Sequence, residues 1–104
     1  MDAFSMPEHL APLELSTLSR RVFISDNELE LTGLEYNLLQ LLVTQSPELV
    51  SREHIAQHIF NKPLVVCNLS INCHISNLRV KLGVHTQQIK IKSVRGRGYA
   101  LVAA

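Results

Sequence analysis

The sequence predicts an α+β domain: an N-terminal antiparallel sheet, a three-helix core and a C-terminal β-hairpin. Three observations carry this expectation. Between Leu13 and Thr32, short runs alternate apolar and polar residues around turn-forming residues, the period-two pattern of half-covered strands. Between Thr32 and Gly83, two capping signals and an apolar stripe at helical spacing mark helices. Beyond Lys90 the alternation returns on both sides of Arg95-Gly-Arg-Gly98, a hairpin pattern. At 104 residues the chain holds one core without needing staples.

In chain order, Met1 to Pro12 has two prolines, small polar residues and no periodicity. Residues 1–12 therefore read as a tail or linker remnant, and residues 13–104 as the folded unit. Leu13, Leu15 and Thr17 alternate with Glu14 and Ser16, and the runs Arg21–Ser25 and Glu28–Thr32 follow, separated by Asp26-Asn27. Two turn-forming residues between such runs signal a hairpin. Thr32-Gly33-Leu34-Glu35 matches a capping box, in which hydroxyl and carboxylate satisfy each other's backbone donors. A helix should start there, bury Leu34, Leu38, Leu41 and Leu42, and end before Pro47. Ser51 is placed to cap a second helix reaching about Phe60, with Ile55 and Ile59 inward. Asn61 to Val66 breaks the periodicity around Pro63 and leaves Leu64-Val65-Val66 in a loop, where apolar residues either tuck into the core or meet a partner.

The third helix is expected over residues 68–82. Ile71, Ile75, Leu78 and Leu82 share one stripe. The opposite stripe carries Leu69, Cys73, Ser76, Asn77 and Val80, with Arg79 and Lys81 on the flanks. A solvated face normally carries Glu–Lys pairs, and this one has none. Small side chains with amides suit a DNA major groove, where Asn can pair with a base edge. Gly83 supplies a C-cap, and residues 90–102 form a hairpin with a basic tip.

The formal charge of +1 conceals a polarity. Residues 1–60 hold three cations and all nine acids, leaving −6; residues 61–104 hold Lys62, Arg79, Lys81, Lys90, Lys92, Arg95 and Arg97 with no acid, giving +7. An acid-free basic segment is the footprint of polyanion binding. The apolar runs are too short to span a membrane. The N-terminus lacks a basic-then-apolar signal pattern, so the expected compartment is the cytoplasm. Cys67 and Cys73 fit no zinc-ligand spacing and read as reduced thiols. His54 and His58 stand at i, i+4, a spacing able to bind zinc, but the sequence offers no third ligand. No metal, no cofactor and no enzymatic role are expected.

Four motifs carry a family resemblance: Leu31-Thr-Gly-Leu-Glu-Tyr36, Val50-Ser-Arg-Glu-His54, His74-Ile-Ser-Asn-Leu-Arg79 and Val94-Arg-Gly-Arg-Gly-Tyr99. In this order and spacing they resemble the OmpR/PhoB-type winged helix-turn-helix effector domain of bacterial two-component response regulators. The SREH, HISNLR and RGRGY stretches most resemble the Cpx envelope-stress branch. The resemblance implies a four-stranded N-terminal sheet, where the residues themselves give three runs. It also implies a third helix in the major groove and a wing at the minor groove. By position, base reading falls on Cys73, Ser76, Asn77 and, at the wing tip, Arg95. Phosphate contacts fall on Arg52, Ser70, His74, Arg79 and Ser93; Lys81 and Arg97 join them as flanking cations. A polymerase-contacting loop falls on Asn61 to Cys67, with Lys62, Leu64, Val65 and Val66 as its contact residues.

Six of these assignments have a plainer alternative. Asn77 could be a solvated amide, Cys73 and Ser76 tolerated small residues, His74 a half-buried core histidine, Arg97 a solvated cation, and Arg79 the partner of Glu53. The chain also departs from the family pattern. Phe60 stands where many members carry an indole, Asn68-Leu69 replaces an acidic–basic pair, and Asn72 replaces an acid. The partners implied are double-stranded DNA with direct-repeat half-sites and RNA polymerase. In a longer chain, a receiver domain and a sensor kinase would join them; the short tail fits an effector domain cut at its linker or a standalone protein. The isolated domain is expected to be a monomer that pairs on DNA. A protein-binding module and a nonspecific nucleic-acid binder are the rival readings.

Overall fold

The computed structural model describes Pro7–Ala104. A three-stranded antiparallel sheet in order β1-β2-β3 comprises β1 (Leu13–Ser16), β2 (Arg21–Ile24) and β3 (Asn27–Leu29). Leu13, Leu15, Val22, Ile24 and Leu29 bury its inner face. The β2–β3 turn is Ser25-Asp26, one residue earlier than expected. Both residues have positive φ, 49° and 69°, as a two-residue turn matched to strand twist requires. At the β1–β2 turn, the Arg20 guanidinium lies 4.5 Å from the Tyr36 ring centroid and donates to the Asn37 side chain at 2.8 Å. That contact ties the sheet to the first helix.

Helix α1 (Gly33–Gln45) starts at the expected capping box: Thr32 Oγ1 accepts from Glu35 N–H, and the Glu35 carboxylate accepts from Thr32 N–H. Leu38 and Leu42 are fully buried as expected, but Leu39 and Val43 are too, while Leu34 and Leu41 are only half-buried. This helix is covered on two sides, so its buried face is wider than one stripe. The short β4 (Val50–Ser51) leads into α2 (Arg52–Ile55), capped by Ser51 Oγ accepting from His54 N–H at 3.0 Å. It continues as a π-helical turn, Ala56–Phe60, closed by Asn61 in the left-handed region at φ 54°.

Helix α3 (Leu64–His85) is longer than expected at both ends. Leu64, Val65 and Val66 are not in a loop: Pro63 is the N-cap residue, and Val66 N–H donates to its carbonyl. With φ preset near the helical value, proline here starts a helix rather than breaking one. Gly83 likewise does not end the helix. It lacks a left-handed φ, and the final turn closes two residues later with Thr86 N–H donating to Leu82 O.

A second antiparallel sheet has the order β4-β6-β5, from β5 (Ile89–Val94) and β6 (Gly98–Ala103). β5 is its free edge, and Lys90 and Lys92 on it are exposed. Ile89, Ile91, Tyr99 and Leu101 turn inward onto the helices. Residues 8–10, expected in the tail, form a 3-10 turn whose Leu10 is fully buried. One apolar side chain among prolines is too short a signal for periodicity to register. Residues 1–6 of that expected tail lie outside the described residues. The N-terminal sheet has three strands among the described residues, as the residue pattern indicates and one fewer than the family resemblance implies.

Candidate nucleic-acid interface

Helix α3 presents the two faces its sequence predicts. Cys67, Ile71, Ile75, Leu78 and Leu82 are buried. Leu69, Cys73, Ser76, Asn77 and Val80 are all exposed. Burial of the first set offers roughly 1.5–3 kcal/mol per large apolar side chain, which fixes which side of the helix is left to solvent.

The cations around this face differ in what they are free to do. Arg52, at the start of α2, reaches across to α3. Its Nε and Nη2 donate to Asn68 Oδ1 at 3.1 and 2.6 Å, and its Nη1 donates to the Tyr99 hydroxyl at 2.7 Å. Tyr99 in turn donates to Asn72 Oδ1 at 3.3 Å. The Arg52 and Arg79 guanidinium carbons lie 5.7 and 5.8 Å from the Tyr99 ring centroid, within cation–π range. Tyr99 therefore joins the base of the wing to α3. Sequence reasoning used it only as the end of a turn motif. The sole signal it offered was an aromatic at the first inward position after a basic tip.

Arg79 does not pair with Glu53. Its Nε and Nη2 donate to the Ile91 carbonyl at 3.1 and 3.0 Å, and Nη2 also donates to Ser93 Oγ. The guanidinium is exposed and holds α3 against β5, with further N–H groups left over. Ser93 is exposed beside it.

Lys81, one of the expected phosphate contacts, is paired inside the fold. Its Nζ donates to Glu35 Oε1 at 2.6 Å, and Glu35 is only 3% exposed. Burial pushes the Glu35 carboxyl upward, but hydrogen bonds from Lys81 and the Thr32 backbone, with the charges of Lys81 and His74, outweigh it and hold it below the usual carboxylate range. The buried carboxylate draws the lysine inward, away from the outer face.

His74 is half-buried: Nδ1 donates to the Ser70 carbonyl at 2.7 Å, and the ring meets Phe60 edge-on at 5.5 Å. This geometry is that of a partly packed histidine with one ring nitrogen engaged. Ser70 is exposed one turn before it. At the wing tip, Arg95 and Arg97 are exposed on either side of Gly96, whose φ is 73°. Gly98 lies so close to β4 that a Cβ there would stand 2.0 Å from the Val50 carbonyl oxygen. The wing is thus seated on the start of α2 by backbone contact.

Lys62 is exposed in the α2–α3 turn, which the longer α3 confines to Asn61–Pro63; Val65 and Val66 are exposed on the first turn of the helix and Leu64 is half-buried. His54 and His58 stack with ring centroids 4.0 Å apart. Among the described residues, no group of three or more His, Cys, Asp or Glu is placed to hold a metal ion, and no helix is long and apolar enough to cross a membrane. The site is a neutral strip of small, amide and apolar side chains bordered by arginines from α2, α3 and the wing. Such a surface can approach a polyanion closely while its margins supply the charge.

Comparison with known proteins agrees with this geometry. The family described as "Transcriptional regulatory protein, C terminal" matches residues 26–101. The chain is 46% identical over 77 residues to the transcriptional regulatory protein CpxR of Escherichia coli K12, covering 73% of this chain and 33% of that protein. It is 37% identical over 91 residues to the transcriptional regulatory protein BasR of the same strain, covering 88% and 39%. Among solved structures, it resembles the DNA-binding domain of CpxR from E. coli with a TM-score of 0.76 and 39% identity, covering 88% of this chain and 91% of that one. It also resembles the response regulator AdeR DNA-binding domain, solved in complex with an intercistronic region, with a TM-score of 0.72 and 28% identity, covering 85% and 91%. The chain spans about a third of the length of the CpxR proteins it matches.

Proposed function

The chain belongs to the OmpR/PhoB-type family of C-terminal transcriptional regulatory domains, and from that premise we propose that it binds double-stranded DNA sequence-specifically as the effector part of a two-component response regulator. The observation that carries the reading is the acid-free exposed face of α3 set between Arg52, Arg79 and the wing arginines. In this reading α3 lies in the major groove, where Asn77, Ser76 and Cys73 meet base edges. Arg52, Arg79, Ser70, Ser93 and Arg97 lie along the backbone, with His74 donating from Nε2 when its ring carries both protons. Phosphate contacts position a domain, and base contacts specify its site. Arg95 enters the adjacent minor groove, whose narrow A·T stretches favour arginine. Lys81 has no part in it.

The domain measures 38 × 27 × 21 Å. Two copies can therefore sit on direct repeats about one helical turn, ~34 Å, apart, so a monomer in solution would pair on DNA. The turn Asn61–Pro63 with Val65 and Val66 offers RNA polymerase a small apolar contact bearing one cation, Lys62. Val65→Ser combined with Val66→Ser should leave DNA affinity unchanged and lower transcription in a purified system. The expected setting is cytoplasmic, with a receiver domain elsewhere in the regulator under the control of a sensor kinase.

The test is selection from a randomised duplex pool, followed by titration of the winner at several salt concentrations. Enrichment of a direct repeat, with affinity falling steeply as salt rises, supports tandem phosphate-anchored recognition. Salt-sensitive binding without enrichment replaces the proposal with a nonspecific nucleic-acid binder. Salt-insensitive or absent binding replaces it with a protein-interaction module.

A further inference from the structure

We propose that the exposed face of α3 reads thymine methyl groups, so that the preferred duplex carries A·T-rich half-sites; this deepens the DNA-binding reading above and rests on it. Of the seven large apolar side chains exposed among the described residues, five lie on α3: Val65 and Val66 on its first turn, which the reading above gives to polymerase, Val80 and Val84 toward Glu28 and Glu30, and Leu69, 79% exposed, on the outer face between the arginines. At about 100° per residue, Leu69, Cys73 and Val80 fall within roughly 40° of one another along the outer face. Exposed apolar side chains concentrated on one helix are the informative departure from an ordinary surface.

Charge selects the occupant. Around Leu69 and Cys73 the rim is Arg52, Arg79 and the wing arginines, which frames that part of the strip for a polyanion, whereas Val80 stands toward Glu28 and Glu30 at its far end. Within a duplex, the apolar feature of the major groove is the thymine C5-methyl, and apolar side chains are its usual contact.

The polar groups point to the same base pairs. Guanine is read chiefly by Arg or Lys donating to O6 and N7, and the outer stripe of α3 carries neither: Lys81 is held by Glu35, and Arg79 stands on the flank against Ile91 and Ser93, its remaining N–H groups left for phosphate in the reading above. Adenine is read by an Asn amide giving and taking one hydrogen bond. Asn72 has its oxygen engaged by Tyr99, whereas Asn77 is exposed and unengaged among the described residues. An adenine under Asn77 beside thymines under Leu69 and Cys73 satisfies the whole strip.

The experiment takes the duplex that the wild-type chain selects from a randomised pool and replaces each thymine in turn with deoxyuridine. This removes the methyl and leaves base pairing intact. One or two positions should lose about three- to fivefold in affinity, the effect expected of one buried methyl. Leu69→Ala, a change at a position too exposed to disturb the core, should erase the thymine–uracil difference at one of them. If every deoxyuridine duplex binds as its parent does, or Leu69→Ala keeps the full sensitivity, the methyl-reading proposal fails while sequence-specific binding stands. If no sequence is enriched, both fail.

Discussion

Lys81→Met tests whether the inward turn of this lysine is what holds the start of α1 to the middle of α3. The Glu35 side chain is 4% exposed and accepts from Lys81 at 2.6 Å and from Thr32 N–H at 3.0 Å. Removing the lysine leaves a buried carboxylate with one backbone donor. Breaking a fully buried pair typically costs about 3–5 kcal/mol. Lys81, however, keeps 36% of its side chain in solvent, and water screening brings the expected loss down to about 2 kcal/mol. For a domain of this size that lowers Tm by about 8–16 °C. Urea titration followed by circular dichroism gives the free energy directly.

The double variant Glu35→Gln with Lys81→Met should lose less than the sum of the two single losses, by at least about 1 kcal/mol, because it leaves no unpaired charge. The pH dependence has a definite sign. Glu35 ionises more readily folded than unfolded, so its contribution is complete above the unfolded value of 4.5 and is lost as pH falls through the lowered folded value. The gap between wild type and Lys81→Met should close over that acid window. A loss below about 0.5 kcal/mol at neutral pH, or a gap that persists after the carboxylate is protonated, refutes the reasoning. DNA affinity adds an independent check: the salt slope should change by less than the one unit expected for a lost phosphate contact.

Asn77→Ala should relax discrimination at one base position and cost ~1–3 kcal/mol on the preferred duplex, read by repeating the selection with the variant; an unchanged preference profile rejects the base-reading role. Arg79→Ala should weaken all duplexes about equally and flatten the salt slope by about one, while lowering stability because the Ile91 carbonyl loses both its guanidinium donors. Gly98→Ala must force the wing off β4, since its Cβ would sit 2.0 Å from the Val50 carbonyl oxygen. A loss of about 2–4 kcal/mol in urea titration is expected. Gly96→Ala, where nothing lies within 4 Å but φ is 73°, should cost only about 1 kcal/mol.

The features legible in the sequence are those decided within a few residues. Thr32 and Glu35 cap each other across three positions, Ser51 caps α2 by accepting from the N–H three residues on, and the stripe from Ile71 to Leu82 follows from helical spacing alone. What was missed depends on partners far along the chain. Lys81 looked like a flank cation until Glu35, 46 residues earlier, came beside it. The in-fold partner expected for Arg79 is Glu53, yet two acceptors of β5 hold it instead. Pro63 reads as a breaker when weighed locally, but it opens α3 because the turn before it ends at the left-handed Asn61. The two-residue β4 carries no periodicity at all, and only its pairing with Tyr99 and Gly98 defines it. The outer face of α3 was legible because every position on it escaped long-range pairing. The rim was not, since long cationic side chains settle wherever the fold offers an acceptor.

The free edge of the second sheet has a consequence for how the protein behaves at high concentration. β5 has no strand on its outer side, where only the Ile91 carbonyl is covered, by Arg79, and such an edge is where another chain could add a strand and seed aggregates. Lys90 and Lys92 stand exposed along that edge, and two such edges brought together would set lysine against lysine. The strand is thereby guarded against its own copies, and neutralising both lysines should let the domain self-associate through that edge.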